Sequence, residues 1–447
     1  MAPSTTADLE QVVAEPEQPA VPLTLPVETT RSRLGVVRVG IWIEPEPQAS
    51  HIGGDIVRAL IEPQLFTPRP GGGWAPRLVE PGSVTEAEDL RSVSFRLRPG
   101  AAWSDGSLIG AADLQRTADT RFVRSVEGDG DVITVAFTQP LPGWRRLWSG
   151  IDSVTPPSEG VVGGPFMVER VEPGLETVLV PNDGWWGVEA GEGPWLEELH
   201  LVVVPDQTTM FQLFERGELD VIAPWAVPGR LVDPCGDRVC DVDTDAGGGW
   251  QAVVLVNPVT IDLDNRRRLL GAFDPESTVG ALLKGEAEAI TTPFLEVRDP
   301  ANLDVQLMLT VAEDVPMARV AARGAQITVS DGGGVVPELR TGPSRLVAEW
   351  VAAGGSDVLV VELYRGPSAC FTCLFGELLP GESALADAGD DEALVRRIGE
   401  DAVARWLWAE TRVALSDGEL RGVQANGWSM FVTWNAWQWS MGADGGP

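Results

Sequence analysis

Four cysteines are the first residues in this sequence whose type and spacing could support chemistry. Cys235 and Cys240 lie in PCGDRVC, and Cys370 and Cys373 form CFTC. Four thiolates could hold a structural zinc ion, form two local disulfides, or stay as free thiols. Structural zinc pairs usually enclose two residues, whereas the first pair here encloses four, so the spacing disfavours zinc.

Alternating acidic residues could bind a cation. Asp241, Asp243 and Asp245 are spaced like the opening of a calcium loop. However, Ala246 stands where such a loop needs glycine, and Ala252 stands where it needs a bidentate glutamate. The pattern therefore predicts a solvated acidic turn.

Enzyme signatures are missing from the sequence. It contains no G-x-S-x-G, no H-E-x-x-H and no P-loop, and its two histidines leave few general bases. The 66 Asp and Glu residues guarantee accidental carboxylate pairs, and nothing singles one out. We therefore expect no catalytic residues, no metal and no cofactor.

Composition narrows the class of protein further. The 447 residues suffice for two or three domains. The net charge of -33 repels phosphate backbones and disfavours nucleic acid as a partner. The sequence has no apolar run of about 18 residues that would predict a membrane span. Residues 1–35 are rich in Pro, Glu, Thr and Ala and predict a disordered leader or stalk, with no visible signal peptide.

The stretch Phe95–Asp113 predicts a compact local structure. FRLR alternates like a half-buried strand, and Trp103 follows as an aromatic plug. Ser104-Asp105-Gly106 is a turn signal. Gly110 then suits a helix N-cap, with Asp113 in the first turn, where a carboxylate complements the helix dipole.

This stretch resembles the signature segment of the family 5 extracytoplasmic solute-binding proteins, the oligopeptide, dipeptide and nickel receptors of ABC importers. The matching positions are Arg98, Gly100, Trp103, Asp105, Gly106 and Asp113, while Gly110 stands where the family usually has threonine. A second close match runs from Gly163 to Trp225 and includes Gly163-Gly164-Pro165-Phe166, Asn182, Trp185 and Trp186. The resemblance covers roughly residues 36–440 and is weak between 270 and 360, which indicates a degenerate member.

The residues of the second match also predict a βαβ unit, independently of the resemblance. LVVVP is a continuous apolar run, typical of a buried parallel strand, and a helix capped by Asp206 or Thr208 follows it. The next strand begins at Asp220, so Trp225 falls at its carboxyl end. Open α/β sheets bind ligands at such ends.

The resemblance implies an α/β fold with two lobes, of the type II periplasmic-binding-protein kind, with a discontinuous large lobe and a hinge of crossing strands. It divides the chain into a leader (1–35), a large lobe with a side subdomain at about 62–160 (36–257), a second lobe (258–422) and a return to the large lobe (423–447). The second lobe is expected to be trimmed, with only VPMARVAARG where the family has a long helix. Asp391–Thr411 is predicted to be helical.

The family's ligand cleft suggests candidate binding residues in this chain. We expect Trp42, Trp225, Trp250, Trp434 and Arg365 to line it. Arg365 stands where peptide-binding members have an aspartate for the ligand's α-ammonium group. Arginine favours carboxylates, although Arg365 could equally pair with a surface acid.

The expected function is substrate binding for an ABC importer, with a peptide or other small polar solute as ligand and permease subunits as partners. The chain is expected to be a monomer, extracytoplasmic, in the cell envelope. In an exported protein, Cys235–Cys240 and Cys370–Cys373 are expected to be disulfides. The alternative is a degenerate sensor or protein-interaction module without a transport role.

Overall fold

The computed structural model describes residues 35–47, 52–149, 153–224, 235, 238–245, 250–258, 260–281, 283, 287–300, 303, 308–312, 316–331, 338–342, 357–364, 391–429 and 431–442. These residues belong to one compact unit, Arg33–Pro447. It contains two large mixed sheets and several small ones.

The first large sheet has seven described strands, with two parallel pairings at its centre. In spatial order they are β12 (Cys240–Asp245), β19 (Arg412–Asp417), β11 (Val221–Ile222), β1 (Val36–Ile41), β10 (Glu198–Val203), β9 (Glu176–Pro181) and β8 (Phe166–Glu172).

The predicted βαβ unit is confirmed. Strand β1 pairs in parallel with both β10 and β11, and α4 (Gln207–Glu215) connects the latter two. Asp206 caps this helix, because its carboxylate accepts a hydrogen bond from Thr209 N at 2.9 Å. Val37 and Val39 have no solvent exposure, so the face of β1 that they share is fully covered.

The second large sheet has six described strands. In spatial order they are β14 (Ala287–Ala289), β18 (Ala404–Glu410), β13 (Trp250–Val256), β17 (Val358–Tyr364), β15 (Met308–Ala312) and β16 (Glu338–Gly342). The helices described in this part of the chain are α5 (Leu263–Gly271), α6 (Pro275–Ala281), α7 (Pro316–Asp331) and α8 (Asp391–Glu400).

The side region of the first lobe has a sheet of its own, ordered β4 (Thr85–Glu86), β5 (Ser92–Arg96), β7 (Val132–Phe137), β6 (Val123–Asp129). The remaining described elements are α1 (Ile52–Ile61), α2 (Ala111–Arg116), α3 (Trp186–Glu189), the pairs β2 (Phe66–Pro68) with β3 (Trp74–Pro76) and β20 (Leu420–Arg421) with β21 (Ser440–Met441), and two 3₁₀ turns at Trp144–Arg146 and Val432–Gln438.

The signature stretch folds as its residues predict. Strand β5 ends at Arg96, and Trp103 is only 2 % exposed. Gly110 is the N-cap of α2, and its backbone N–H donates to the carboxylate of Asp113 at 3.0 Å. Asp113 thus supplies one half of a capping box, and the half that a threonine side chain would add at the N-cap is missing at Gly110.

Two predictions about the second lobe are wrong. Helix α7 continues through AQITVSD to Asp331, so the long helix is present rather than shortened. Residues Ala404–Glu410 form strand β18 and not a helix. The reason is tertiary, because β18 lies between β13 and β14 and buries Trp406 and Trp408 there.

The chain crosses between the two sheets at Thr411. Strand β18 pairs in the second sheet, and β19 pairs in the first sheet from Arg412 onward. The first lobe is thus rejoined before the predicted boundary at 423. By the same criterion β13, which ends at Val256, already pairs in the second sheet, so that sheet begins before the predicted boundary at 257. The boundaries of the leader and of the side subdomain stay predictions.

A buried cation holds the final segment of the chain against the first lobe. The guanidinium carbon of Arg77 lies 3.4 Å from the ring centroid of Trp437 and 5.3 Å from that of Trp185. Glu192 accepts a hydrogen bond from Arg98 Nη1 at 2.6 Å and lies 3.7 Å from Arg77 Nη1. Burial lowers the pKa of Arg77 to about 9, and Glu192 acts in the opposite direction.

Candidate functional site

A cavity opens at the carboxyl ends of the parallel strands in the first sheet. Its wall includes Gly40, Ile41 and Trp42 at the end of β1, and Ala223 just after β11. Arg412 and Val413 contribute from the start of β19, which runs antiparallel to β11 and so begins at the same edge. The empty space at this site amounts to about 630 Å³, a figure that includes open solvent.

The rest of the described wall comes from α1 and the last part of the chain. Ile56 projects from α1, and the last part supplies Ala425, Asn426, Ser429, Phe431, Val432 and Thr433. Apolar and aromatic side chains dominate, with a few polar groups among them. This composition is typical of a small-molecule site.

Two polar residues of the cavity wall, Asn426 and Ser429, form hydrogen bonds within the wall. Asn426 donates to Pro68 O at 2.9 Å and accepts from Trp428 N at 3.0 Å. Ser429 Oγ donates to Phe431 O at 3.2 Å. These bonds hold the last part of the chain in its loop conformation beside the cavity.

Two of the three alternating aspartates of β12, Asp243 and Asp245, fasten that same loop. Asp243 Oδ2 accepts from Ala425 N at 2.9 Å, and Asp245 Oδ2 accepts from Gly427 N at 2.7 Å and from Gly71 N at 3.1 Å. The predicted solvated acidic turn is therefore wrong. Because alternate side chains of a strand share one face, these carboxylates form a row of backbone N–H acceptors instead.

The contribution of Asp243 can be measured. We expect Asp243→Ala to lower the free energy of unfolding by about 1.5 kcal/mol, because it removes a charge-assisted hydrogen bond to the loop. Asp243→Asn keeps an acceptor oxygen and should recover most of the loss. Urea unfolding followed by tryptophan fluorescence measures both.

The matched control is Asp241→Ala on the same strand face. The Asp241 side chain is 64 % exposed and lies 3.4 Å from Arg421, so its loss should cost less than about 0.5 kcal/mol. Equal losses for the two alanine variants would contradict a fastening role for Asp243.

A disulfide joins Cys235 and Cys240 at the start of β12. Between them, Arg238 donates to Phe214 O at 2.5 Å and to Leu219 O at 2.7 Å, and it forms an ion pair with Asp417. The short loop is thereby attached to the turn that follows α4. Cys370 and Cys373 lie outside the described residues.

An ion pair lies where the chain crosses between the sheets. Arg412 Nη1 is 3.7 Å from Glu410 Oε2, and the Glu410 side chain is only 1 % exposed. The Arg412 side chain is 19 % exposed and lines the cavity. The arginine at the crossing is thus both part of the wall and matched by a buried carboxylate.

Of the five predicted cleft residues, only Trp42 is found in the described wall of the cavity. Trp42 lies in the cavity wall. Trp434 is buried beside it, outside this wall, and its indole N–H donates to Gln424 O at 2.9 Å. Trp250 begins β13 opposite Tyr364, but its side chain lies outside what the structure describes. Trp225 and Arg365 lie outside the described residues.

The sequence reasoning missed Arg412, Asn426 and Thr433. A signal for Arg412 was present, since Val413 and Leu415 alternate with small residues before Asp417-Gly418, as a strand before a turn would. Nothing in the local sequence marked Thr433, because Gly40, Trp42 and Ile56 of the same wall lie almost 400 positions earlier in the chain.

Neither a metal site nor a membrane span occurs in the part of the chain that the structure describes. No group of three or more His, Cys, Asp or Glu residues there could hold a metal ion. No helix there combines the length and the apolarity that a membrane crossing requires.

The fold and the cavity can be set beside known proteins. Residues 137–339 match the family model for the middle region of bacterial extracellular solute-binding proteins, family 5. The predicted resemblance to the family 5 solute-binding proteins is thus confirmed over this part of the chain. This is a family of extracytoplasmic binding proteins and not of enzymes.

Individual relatives are distant from this protein. A probable monoacyl phosphatidylinositol tetramannoside-binding protein, LpqW, of Mycobacterium tuberculosis is 27 % identical to it over 212 residues. The aligned residues make up 38 % of this chain and 32 % of LpqW. A probable ABC transporter-binding protein of Deinococcus radiodurans is 26 % identical over 200 residues. This alignment covers 34 % of this chain and 33 % of that protein. The matches thus span about a third of the length of these curated relatives.

Solved structures resemble the chain over nearly its whole length. A dipeptide-binding protein from Pseudoalteromonas sp. SM9913, solved with Met-Leu, superposes with a TM-score of 0.74 at 14 % identity, covering 91 % of this chain and 100 % of that protein. At this identity the likeness speaks for the fold alone. The predicted two-lobed periplasmic-binding-protein fold is confirmed.

Proposed function

We propose that this protein is the substrate-binding component of an ABC importer and captures a peptide or other small polar solute between its lobes. The cavity beside the crossing at Thr411 is the observation that carries the proposal. Arg412 lines the cavity and is also the first residue of β19 after the crossing. A ligand that contacts this wall therefore touches the strand about which the lobes would move.

Binding at this place would bias an open–closed equilibrium. A ligand can shift a conformational equilibrium only by the difference in its affinity for the two states. Contacts at the crossing strands differ between open and closed lobes, so they supply such a difference. Permease subunits would then recognise the closed form, and no chemical step is needed.

The remaining elements of the proposal follow from the family. The partners are a small-molecule or peptide ligand and permease subunits, and the protein acts as a monomer in the extracytoplasmic cell envelope. The ABC transporter-binding relative and the dipeptide-binding neighbour support this assignment. Trp42 is proposed to contact the ligand, and Trp225, Trp250, Arg365 and Trp434 remain proposed cleft residues.

Thermal melting with intrinsic tryptophan fluorescence tests the proposal. The panel contains di- to pentapeptides, sugars and small carboxylates. A ligand at 100 times its Kd should add about 2.7 kcal/mol of stability, which shifts the melt clearly. If protein that is folded and ligand-free responds to none of them, the proposal fails, and a protein-interaction module becomes the better account.

A further inference from the structure

A buried hydroxyl in the cavity wall has no hydrogen-bond partner. Thr433 lines the cavity and is only 2 % exposed, and no group in the described part of the chain donates to its hydroxyl oxygen or accepts from it. A hydroxyl that is withdrawn from water without gaining a partner costs free energy. Such groups are uncommon in folded proteins, so this one calls for an explanation.

The two residues that follow Thr433 in the same 3₁₀ turn are also buried, yet their side chains have partners. The indole N–H of Trp434 donates to a backbone carbonyl at 2.9 Å. Asn435 Nδ2 donates to Gly422 O at 2.7 Å, and Asn435 Oδ1 accepts from Trp439 Nε1 at 2.8 Å. The fold therefore satisfies these neighbouring polar groups and leaves the threonine hydroxyl unpaired.

Three other polar side chains of the described wall have partners in the protein. Asn426 and Ser429 donate to backbone carbonyls, and Arg412 lies beside a buried carboxylate. The indole N–H groups of Trp428 and Trp437 lack a hydrogen-bond partner among the described residues, but neither residue belongs to the described wall. The threonine hydroxyl thus combines two properties, a place in the wall and an unused hydrogen-bonding capacity.

The side chains that share the described wall with Thr433 are largely apolar, and they include Ile41, Ile56, Val413, Phe431 and Val432. In a site of this kind a single hydrogen-bonding group orients the ligand and rejects analogues that lack the matching group. A threonine hydroxyl can both donate and accept. An amide offers the two complementary atoms, a carbonyl oxygen and an N–H, in one group without charge.

We propose that Thr433 is a ligand-contacting residue of the cavity and that its hydroxyl forms a hydrogen bond with an amide group of the bound solute. This inference rests on the proposed function and deepens it. The hydroxyl oxygen itself is buried in the ligand-free structure, so the side chain turns about its Cα–Cβ bond to meet the solute. Threonine populates two χ1 rotamers in helical segments, and its hydroxyl and methyl groups are similar in size.

Melting of the ligand-free protein provides the first test. Thr433→Val keeps the shape of the side chain and removes an unpaired hydroxyl, so the melting midpoint should rise by about 2 °C. The matched control is Thr177→Val in β9. Thr177 is fully buried and donates to Pro45 O at 2.7 Å, so its replacement should lower the midpoint by about 2 °C.

A fall for Thr433→Val as large as the fall for Thr177→Val would show that the Thr433 hydroxyl has a partner inside the protein. The inference would then be wrong. Failure of Thr433→Val to fold would overturn it for the same reason.

Titration calorimetry on the full chain provides the second test. The probe is whichever di- to pentapeptide of the melting panel stabilises the natural protein most. Thr433→Val should bind it about tenfold more weakly, because one hydrogen bond is lost and the amide of the peptide is left unpaired. Thr433→Ser restores the hydroxyl and should recover most of the affinity. Thr177→Val should bind the peptide as tightly as the natural protein does.

Three binding results overturn the inference and leave the proposed function standing. The first is unchanged affinity in Thr433→Val. The second is an equal loss in Thr433→Val and Thr433→Ser, which would mean that side-chain shape matters and the hydroxyl does not. The third is a panel in which sugars or carboxylates bind and no peptide does. Silence from the whole panel instead rejects the proposed function, and this inference falls with it.

Discussion

Replacing Glu192 by alanine should lower the free energy of unfolding by about 3 kcal/mol. Its carboxylate serves two guanidinium groups, Arg98 at 2.6 Å and Arg77 at 3.7 Å. Those side chains are only 20 % and 12 % exposed, so the variant leaves two poorly hydrated cations without this carboxylate. The estimate is at the low end for buried pairs, because the Glu192 side chain retains 28 % exposure.

Urea unfolding of three proteins checks this expectation. Glu192→Gln keeps the shape and one acceptor oxygen, so it should lose less than the alanine variant. Glu197→Ala removes an exposed carboxylate from the same segment and should change stability by no more than about 0.5 kcal/mol. A Glu192→Ala loss no larger than that of Glu197→Ala would show that the two arginines need no counter-charge.

The second large effect is expected at Gly164, in the Gly-Gly-Pro-Phe sequence that precedes β8. A Cβ atom there would lie 2.6 Å from Ile61 C and from Leu60 O, both backbone atoms at the end of α1. The position is also held by two hydrogen bonds, Gly164 N to Ile61 O at 2.8 Å and Asn182 Nδ2 to Gly164 O at 2.9 Å. Since no flexible side chain can yield, Gly164→Ala should cost about 3 kcal/mol.

Gly280→Ala is the matched control for this substitution. Gly280 lies in α6, and nothing would approach an added Cβ within 4 Å. Alanine there should stabilise the protein by up to about 1 kcal/mol, because it reduces the entropy of the unfolded chain. If both alanine variants had the same effect, the close approach at Gly164 would not matter for stability.

The close contact of Gly164 with α1 also affects the cavity. It fixes the end of α1, and Ile56 of the same helix lines the cavity wall. A displaced helix would therefore reshape the wall while the polar residues of the last part of the chain stayed in place. The Gly-Pro-Phe sequence thus supports the cavity wall without lining it.

Much of the first lobe could be predicted because its signals are local. The turn and cap around Trp103 and Gly110 involve residues close in sequence, and the apolar run before Asp206 identifies a buried strand by itself. These elements depend on backbone preferences and on hydrophobic periodicity, which a short segment carries in full.

The second lobe shows where such signals fail. Residues Ala404–Glu410 were predicted to be helical, yet they form a strand between β13 and β14. The neighbours that bury Trp406 and Trp408 are about 120 and 150 positions away, so tertiary packing overrides local preference. The same distance hides the role of the β12 aspartates, whose partners lie at Ala425 and Gly427.

The sequence by itself determined the family resemblance, the βαβ core and the large negative charge, because each is a property of composition or of short segments. Only the tertiary structure decided the cavity, where Gly40, Arg412 and Thr433 meet from opposite ends of the chain. It also decided that Glu410, two residues before Arg412, is almost completely buried. Burial depends on packing against residues that are distant in the sequence, and a short segment does not reveal it.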